Sequence, residues 1–190
     1  PRLPILNETI RVLYFHVPMW FSMIFLLLLS SINAYRFIST KNNKYDLKSY
    51  NYAHVGVYFG VLGIITGMIW ANYTWGTYWT NDPKLNGSAI GLLIYFGYFI
   101  LRNSVDDESK KAKISSVYNV FAFSMLIPLI FILPRLTDSL HPGNGGNPGF
   151  NVYDLNAQLR IVFYPAVIGF ICLGLWITDI KGKIQKLNNN

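Results

Sequence analysis

Five long apolar runs separated by short polar loops organise the chain. They span about Val12 to Ile38, Tyr52 to Trp70, Ala89 to Leu101, Ile114 to Leu133 and Leu159 to Ile180. A soluble helical bundle would show apolar stripes of period 3.6 broken by polar faces. Continuous runs near the ~20 residues that cross a ~30 Å hydrocarbon core predict transmembrane helices instead. Inside lipid a helix satisfies its own backbone, which an open strand cannot do. The expected fold is an all-α polytopic membrane protein: five transmembrane helices in this chain, with an interfacial Trp-rich segment between the second and third. The chain reads as a single transmembrane domain over residues 1–190. The third run is short unless its helix begins within 86–88.

Composition agrees. Of 190 residues, 52% are hydrophobic and 13% charged, against roughly 25% charged in soluble domains. The net charge of +7 raises nucleic acid as a partner. No basic stripe with interleaved exposed aromatics supports it, and no nucleic-acid role is expected. The basic residues flank the apolar runs, where they orient a membrane protein. Three loops that share one side hold 11 of the 16: Arg36, Lys41, Lys44 and Lys48; then Arg102, Lys110, Lys111 and Lys113; then Lys181, Lys183 and Lys186. The other five, Arg2, Arg11, Lys84, Arg135 and Arg160, fall opposite. The positive-inside rule makes the first side cytoplasmic, and the acidic cluster Asp106–Asp107–Glu108 counts for little against it. The N-terminus of this chain is then outside, so a sixth crossing is expected ahead of Pro1, six helices in the full protein. No signal peptide is visible. Cys172 reads as a small apolar side chain within a run, with no second thiol for redox work.

Counting crossings places three unusual segments on the outer face: His16, the aromatic stretch 72–86, and His141. Imidazole is a common metal ligand that suits iron, and two histidines on one face can supply both axial ligands of a heme. Pro18 fits a helix that begins beside His16. Pro142 and the glycines after His141 suit a turn that presents a side chain. Within ten residues stand Trp70, Tyr73, Trp75, Tyr78 and Trp79, followed by Asp82-Pro83. If that stretch is helical, Trp75 and Trp79 are neighbours on one face with Tyr78 beside them. Such a surface offers flat apolar contact to a planar macrocycle, and indole and phenol donors at its edge. Elsewhere, Gly56, Gly60, Gly63 and Gly67 recur at four, three and four residues, a smooth stripe for close helix packing. Pro128 and Pro165 are expected to kink the fourth and fifth helices.

The segment Trp75-Gly76, Trp79, Asp82 resembles the tryptophan-rich "WWD" signature of bacterial heme-handling proteins. With Tyr14-Phe15-His16-Val17-Pro18 before it and Leu140-His141 after it, nearly the whole chain is similar to the CcmC family of cytochrome c maturation. This sequence departs from the signature in having Tyr78 for a tryptophan, Asn81 where a further tryptophan is common, and Lys84 where arginine is usual. The resemblance implies six transmembrane helices and a b-type heme, transiently bound at the outer surface. It implies presentation of that heme to a CcmE-like chaperone, alongside CcmA-, CcmB- and CcmD-like subunits, at a bacterial inner membrane with the heme site periplasmic. Carried onto these positions, it makes His16 and His141 the iron ligands and Trp75, Gly76, Trp79 and Asp82 the signature residues.

The expected site therefore sets the heme ring against Trp75, Trp79 and Tyr78. Arg11, Lys84 and Arg135 share the outer side, and Lys84 and Arg135 are favoured for the propionates, since lysine and arginine pair readily with carboxylates. No nucleophile, acid–base pair or phosphate loop is legible, so presentation of heme is expected rather than catalysis. Two other readings remain. A permease subunit of an ABC-type transporter, for heme or a small molecule, wants a polar path through the helices, and Asn33, Thr66 and Ser124 are few. A respiratory cytochrome b buries paired histidines within helices, whereas these lie at helix ends and loops. His54 falls near the cytoplasmic start of the second helix, a membrane thickness away, and reads as structural or interfacial.

Overall fold

A computed structural model describes residues 8–137, 139, 140, 155 and 157–188. A 3-10 turn, Glu8–Val12, leads into α1, Leu13–Thr40. Then come α2, Asn43–Trp75, α3, Pro83–Asn103, and α4, Glu108–Ile127. A π turn, Pro128–Ile132, joins α4 to the short α5, Leu133–Leu136, and α6, Ala157–Asn188, ends the described chain. Among the described residues, five helical segments are long and apolar enough to cross a membrane.

The helices outrun their apolar cores. At 33 residues α2 is about 50 Å long at 1.5 Å per residue, so its polar ends stand clear of the hydrocarbon. The short third run gains its length from Asp82, whose side chain caps a helix that starts at Pro83 and runs 21 residues. Pro18 differs from expectation. The helix begins before it, and Pro18 sits buried inside α1, where it removes the backbone donor that the Tyr14 carbonyl would otherwise receive. Pro128 marks the change from α4 to the π turn, and Pro165 lies within α6. At that turn Gly87 lets α3 touch the Leu129 backbone carbonyl, a position any Cβ would occupy.

Only Lys41 and Asn42 separate α1 from α2. Lys41 takes φ 56°, and the Asn42 side chain accepts the Lys44 amide. The resulting antiparallel hairpin is zipped by the glycine stripe. Gly56 rests on Leu26 and Leu27, Gly60 on Met23, Gly63 on Trp20 and Gly67 on His16, each so close that an added Cβ would lie 2.6–3.0 Å from its neighbour. The α1 partners 27, 23, 20 and 16 repeat the four-three-four spacing of the glycines, and each pair is equidistant from the turn. Two further helices, α4 and α6, pack on α1, and α3 packs on α4.

Met23, Leu26, Leu27, Phe59, Leu92, Tyr95, Tyr98 and Leu126 fill the centre of the bundle. Many large apolar side chains, among them Leu93, Ile100, Val117, Ile161 and Trp176, face outward, as they must where lipid is the solvent. Cys172 is exposed too, because α6 buries only a narrow face through Leu159, Phe163, Gly174 and Thr178. At mid-bundle Asn119 donates to Ser30 Oγ at 2.6 Å and Ser49 Oγ at 2.8 Å, tying α4 to the α1–α2 hairpin.

The basic loops meet at one end. Arg102 of α3 grips Asp46 of α2 through two bonds of 2.8 and 2.6 Å. Asn51 of α2 bonds to Gln185 of α6, and Lys181 Nζ lies 3.2 Å from His54 Nδ1. The opposite end carries His16 and the tryptophan segment.

Candidate functional site

At that opposite end the bundle opens into a cleft between α1, α2, α3 and the π turn. Its empty space, counted out through the open mouth, is ≈ 1430 Å³. The walls are mostly apolar: Ile10, Leu13, Val17, Ile64, Ile130 and Phe131. Trp20, Trp70 and Trp79 add flat aromatic surface, and the polar groups among the described residues are few: His16, Lys84, Ser88 and Thr9.

His16 is held from three directions. Its Cε1 edge rests on Gly67, its ring meets Trp20 edge-on at 6.2 Å, and Nδ1 lies 3.1 Å from Thr66 Oγ1. The Thr66 hydroxyl has one proton, and the Leu62 carbonyl at 2.8 Å is its nearest acceptor. The same oxygen then accepts from His16, which puts a proton on Nδ1. A histidine oriented by a second-sphere bond at Nδ1 can, in its neutral form, ligate a metal through Nε2.

The tryptophan segment does not continue as a helix. α2 ends at Trp75, and Gly76 closes it with φ 77°, returning its N–H to the Asn72 carbonyl at 3.0 Å. A left-handed C-cap of this kind suits glycine because it has no Cβ to clash. Trp75 and Trp79 therefore do not share a helix face. Trp75 packs edge-on against Trp70, 5.4 Å between centroids, and so supports the cleft wall rather than lining it. Trp79 lines the cleft and is 39% exposed. Its backbone is pinned by Thr77, whose hydroxyl donates to the Trp79 carbonyl at 3.0 Å and accepts its amide at 3.4 Å. Tyr78 points away, 56% exposed.

Asp82 is buried, and its carboxylate meets backbone and hydroxyl donors. Oδ1 accepts the Lys84 and Leu85 amides at 2.9 and 3.4 Å, and Oδ2 accepts Ser139 Oγ at 2.9 Å and the Leu140 amide at 2.8 Å. Of the expected propionate partners, Lys84 lines the cleft, while exposed Arg135 donates to the Phe131 carbonyl at 3.0 Å. Arg11 pairs with Glu8 at 3.7 Å. His141 lies outside the described residues; Leu140, just before it in sequence, is bound to Asp82. His54 packs among Tyr50, Tyr58 and Phe99, thirteen residues down α2 from Gly67. That is about 20 Å along the axis, so His54 and His16 cannot share one metal.

Sequence reasoning did not assign Thr66, Gly67, Trp20 or Trp70 to the site. A signal for the first two existed: Gly67, at the outer end of the glycine stripe, lies as many residues after the turn as His16 lies before it, and Thr66 is its neighbour.

Fold and cleft together define a polytopic helical membrane protein with an aromatic, histidine-bearing pocket at one end of its bundle. More particularly, the chain belongs to the heme exporter protein C (CcmC) family, whose model matches residues 5–188. It is 30% identical over 182 residues to heme exporter protein C of Bradyrhizobium diazoefficiens, covering 95% of this chain and 68% of that protein. It is 28% identical over 181 residues to heme exporter protein C of Paracoccus denitrificans, covering 94% and 74%. A shorter stretch of 84 residues is 37% identical to the cytochrome c biogenesis protein CcsA of Pelargonium hortorum, covering 44% and 26%.

Proposed function

We propose that this protein handles heme for cytochrome c maturation, and that the cleft is where heme is held. The relatives named heme exporter protein C and cytochrome c biogenesis protein support the role. The observation that carries the site is His16. It lines an apolar, tryptophan-bearing cleft and is oriented there by the bond from Nδ1 to Thr66.

In this reading heme is a b-type cargo, bound transiently. Its ring lies on Trp79 and the neighbouring apolar wall, braced by Trp75 behind Trp70. His16 and His141 supply the axial ligands, and Lys84 takes a propionate. Gly76 shapes the turn that brings Trp79 round; Tyr78 and Arg135 stand at the rim, where they meet a partner more readily than the ring. In this reading the cleft lies on the outer, periplasmic side of a bacterial inner membrane, an orientation that the basic loops at the opposite end support. An open cleft suits a cargo that must leave, here to a CcmE-like chaperone, with CcmA-, CcmB- and CcmD-like subunits as the surrounding assembly.

The visible spectrum of the purified protein after hemin loading tests this. His16→Ala and His141→Ala are expected to lose or alter the heme band, while His54→Ala keeps it. Equal loss in His54→Ala, or no bound heme in any form, refutes the site.

A further inference from the structure

At the end where the basic loops gather, a second groove runs between α2 and α3. Tyr50, His54 and Asn103 line its polar end, and Val57, Val61 and Phe96 line the part that runs toward mid-bundle. From Tyr50 to Val61 the groove follows α2 for about 16 Å at 1.5 Å per residue. Half of a ~30 Å hydrocarbon core is about 15 Å, the depth of one leaflet. Of the lining residues, Tyr58 and Phe96 are 58% and 41% exposed, so the groove opens toward lipid.

The polar end carries a cation that no acid balances. Lys181 comes in from α6, with Nζ 3.2 Å from His54 Nδ1 and 5.5 Å from the centre of the Tyr50 ring. An ammonium has donors only, so Nδ1 accepts and His54 is the neutral tautomer with its proton on Nε2. Lys181 and His54 together then offer N–H donors and no acceptor. Nearby acids are engaged elsewhere: Asp46 by Arg102 at 2.8 and 2.6 Å, and Asp179 by Lys183 at 2.6 Å. Among the described residues no carboxylate forms an ion pair with Lys181.

We propose that this groove binds one anionic phospholipid, its phosphate at Lys181 and His54 and an acyl chain along Val57, Val61 and Phe96. Donors at the mouth of an apolar groove match a phosphate that carries acyl chains, and basic pockets between membrane helices hold such head groups. Bonds from an ammonium to phosphate oxygens are of the strong, charge-assisted kind. A choline head group brings its own cation beside the phosphate, which Lys181 disfavours. A soluble anion would meet the donors but leave the groove uncovered. The lipid touches α2, α3 and α6 and so braces the bundle at this end. The site shares no residue with the heme cleft and stands or falls without it.

The test delipidates the full chain in neutral detergent and titrates it with phosphatidylglycerol or phosphatidylcholine of the same acyl chains. Native mass spectrometry counts the retained lipid, and thermal melting reads the bracing. The wild type is expected to keep one phosphatidylglycerol, to melt higher with it, and to bind phosphatidylcholine about 5-fold more weakly or worse, the worth of one cation at an anionic head group. Lys181→Gln should lose a similar factor and Lys181→Arg should recover it. His54→Phe, which keeps a ring but no N–H, should show a smaller loss. Val61→Trp should weaken binding by filling the apolar part of the groove while both donors remain. Lys183→Gln removes an equal charge two residues away and should bind within about twofold of the wild type.

Equal retention of the two lipids by the wild type overturns the proposal and needs no variant to do so. Equal losses in Lys181→Gln and Lys183→Gln also overturn it, since they mark general surface charge. Undiminished binding by Val61→Trp puts the chain outside the groove, and displacement by millimolar glycerol phosphate marks a soluble-anion site; either result refutes a lipid seated here.

Discussion

Replacing Gly67 with alanine tests the outermost step of the glycine stripe, the one on which His16 rests. The new Cβ would stand 2.7 Å from His16 Cε1, 3.4 Å from Nδ1 and 3.6 Å from Nε2. Ordinary contact begins near 3.4 Å, so the ring edge must retreat about 0.7 Å or rotate. Either movement disturbs the 3.1 Å bond to Thr66 that fixes the ring. Overpacking of this kind costs about 1–3 kcal/mol, while alanine in a helix regains up to about 1 kcal/mol over glycine. Global stability should therefore fall by no more than about 2 kcal/mol. Heme affinity has no such compensation if the ligating geometry bears the displacement. At 1.4 kcal/mol per decade the loss is about 5- to 150-fold. Hemin titration in detergent or nanodiscs measures it, with Gly169→Ala as control, since a Cβ there meets no heavy atom within 4 Å. Binding by Gly67→Ala within about twofold of the control would refute the claim that this glycine seats the ligand.

Two further predictions concern the bundle itself. Arg102→Ala or Asp46→Asn should cost about 3–5 kcal/mol, because each leaves a charge or half of a buried bidentate pair unmatched. Thermal unfolding in detergent reads the loss, and pairing Asp46→Leu with Arg102→Leu should recover much of it. A single variant that melts like the wild type would contradict the burial. Asn119→Ala removes the bonds to Ser30 and Ser49, where interhelical hydrogen bonds are worth about 0.6 and at most ~1.7 kcal/mol. The melting temperature should drop slightly while the hemin spectrum stays unchanged; a spectral change would mean that mid-bundle packing and the cleft are not independent.

Much of this was legible in the residue order. All five spans, the side on which the basic loops gather and the sharing of one end by His16 and the tryptophans follow from the runs and the charges. The helix limits were not. Asn42, Gly76 and Asp82 set them through hydrogen bonds that lie outside the apolar runs, so α2 and α3 proved longer than their hydrophobic stretches. The break at Gly76 also separated Trp75 from Trp79, which a continuous helix would have aligned. The Asp82 bonds to Ser139 and Leu140 join segments far apart in the chain, and no local pattern announces them.

The sequence by itself determined what lipid demands: which stretches are apolar enough to cross, which end of each carries charge, and where small residues permit close approach. Those properties are local, because the bilayer acts on each segment separately. Only the tertiary structure decided that the two-residue turn at Lys41–Asn42 brings His16 onto Gly67, that Trp79 and not Trp75 lines the cleft, and that Asp82 holds Leu140. Those facts depend on register between helices, and register is settled by caps, turns and packing that act across the fold.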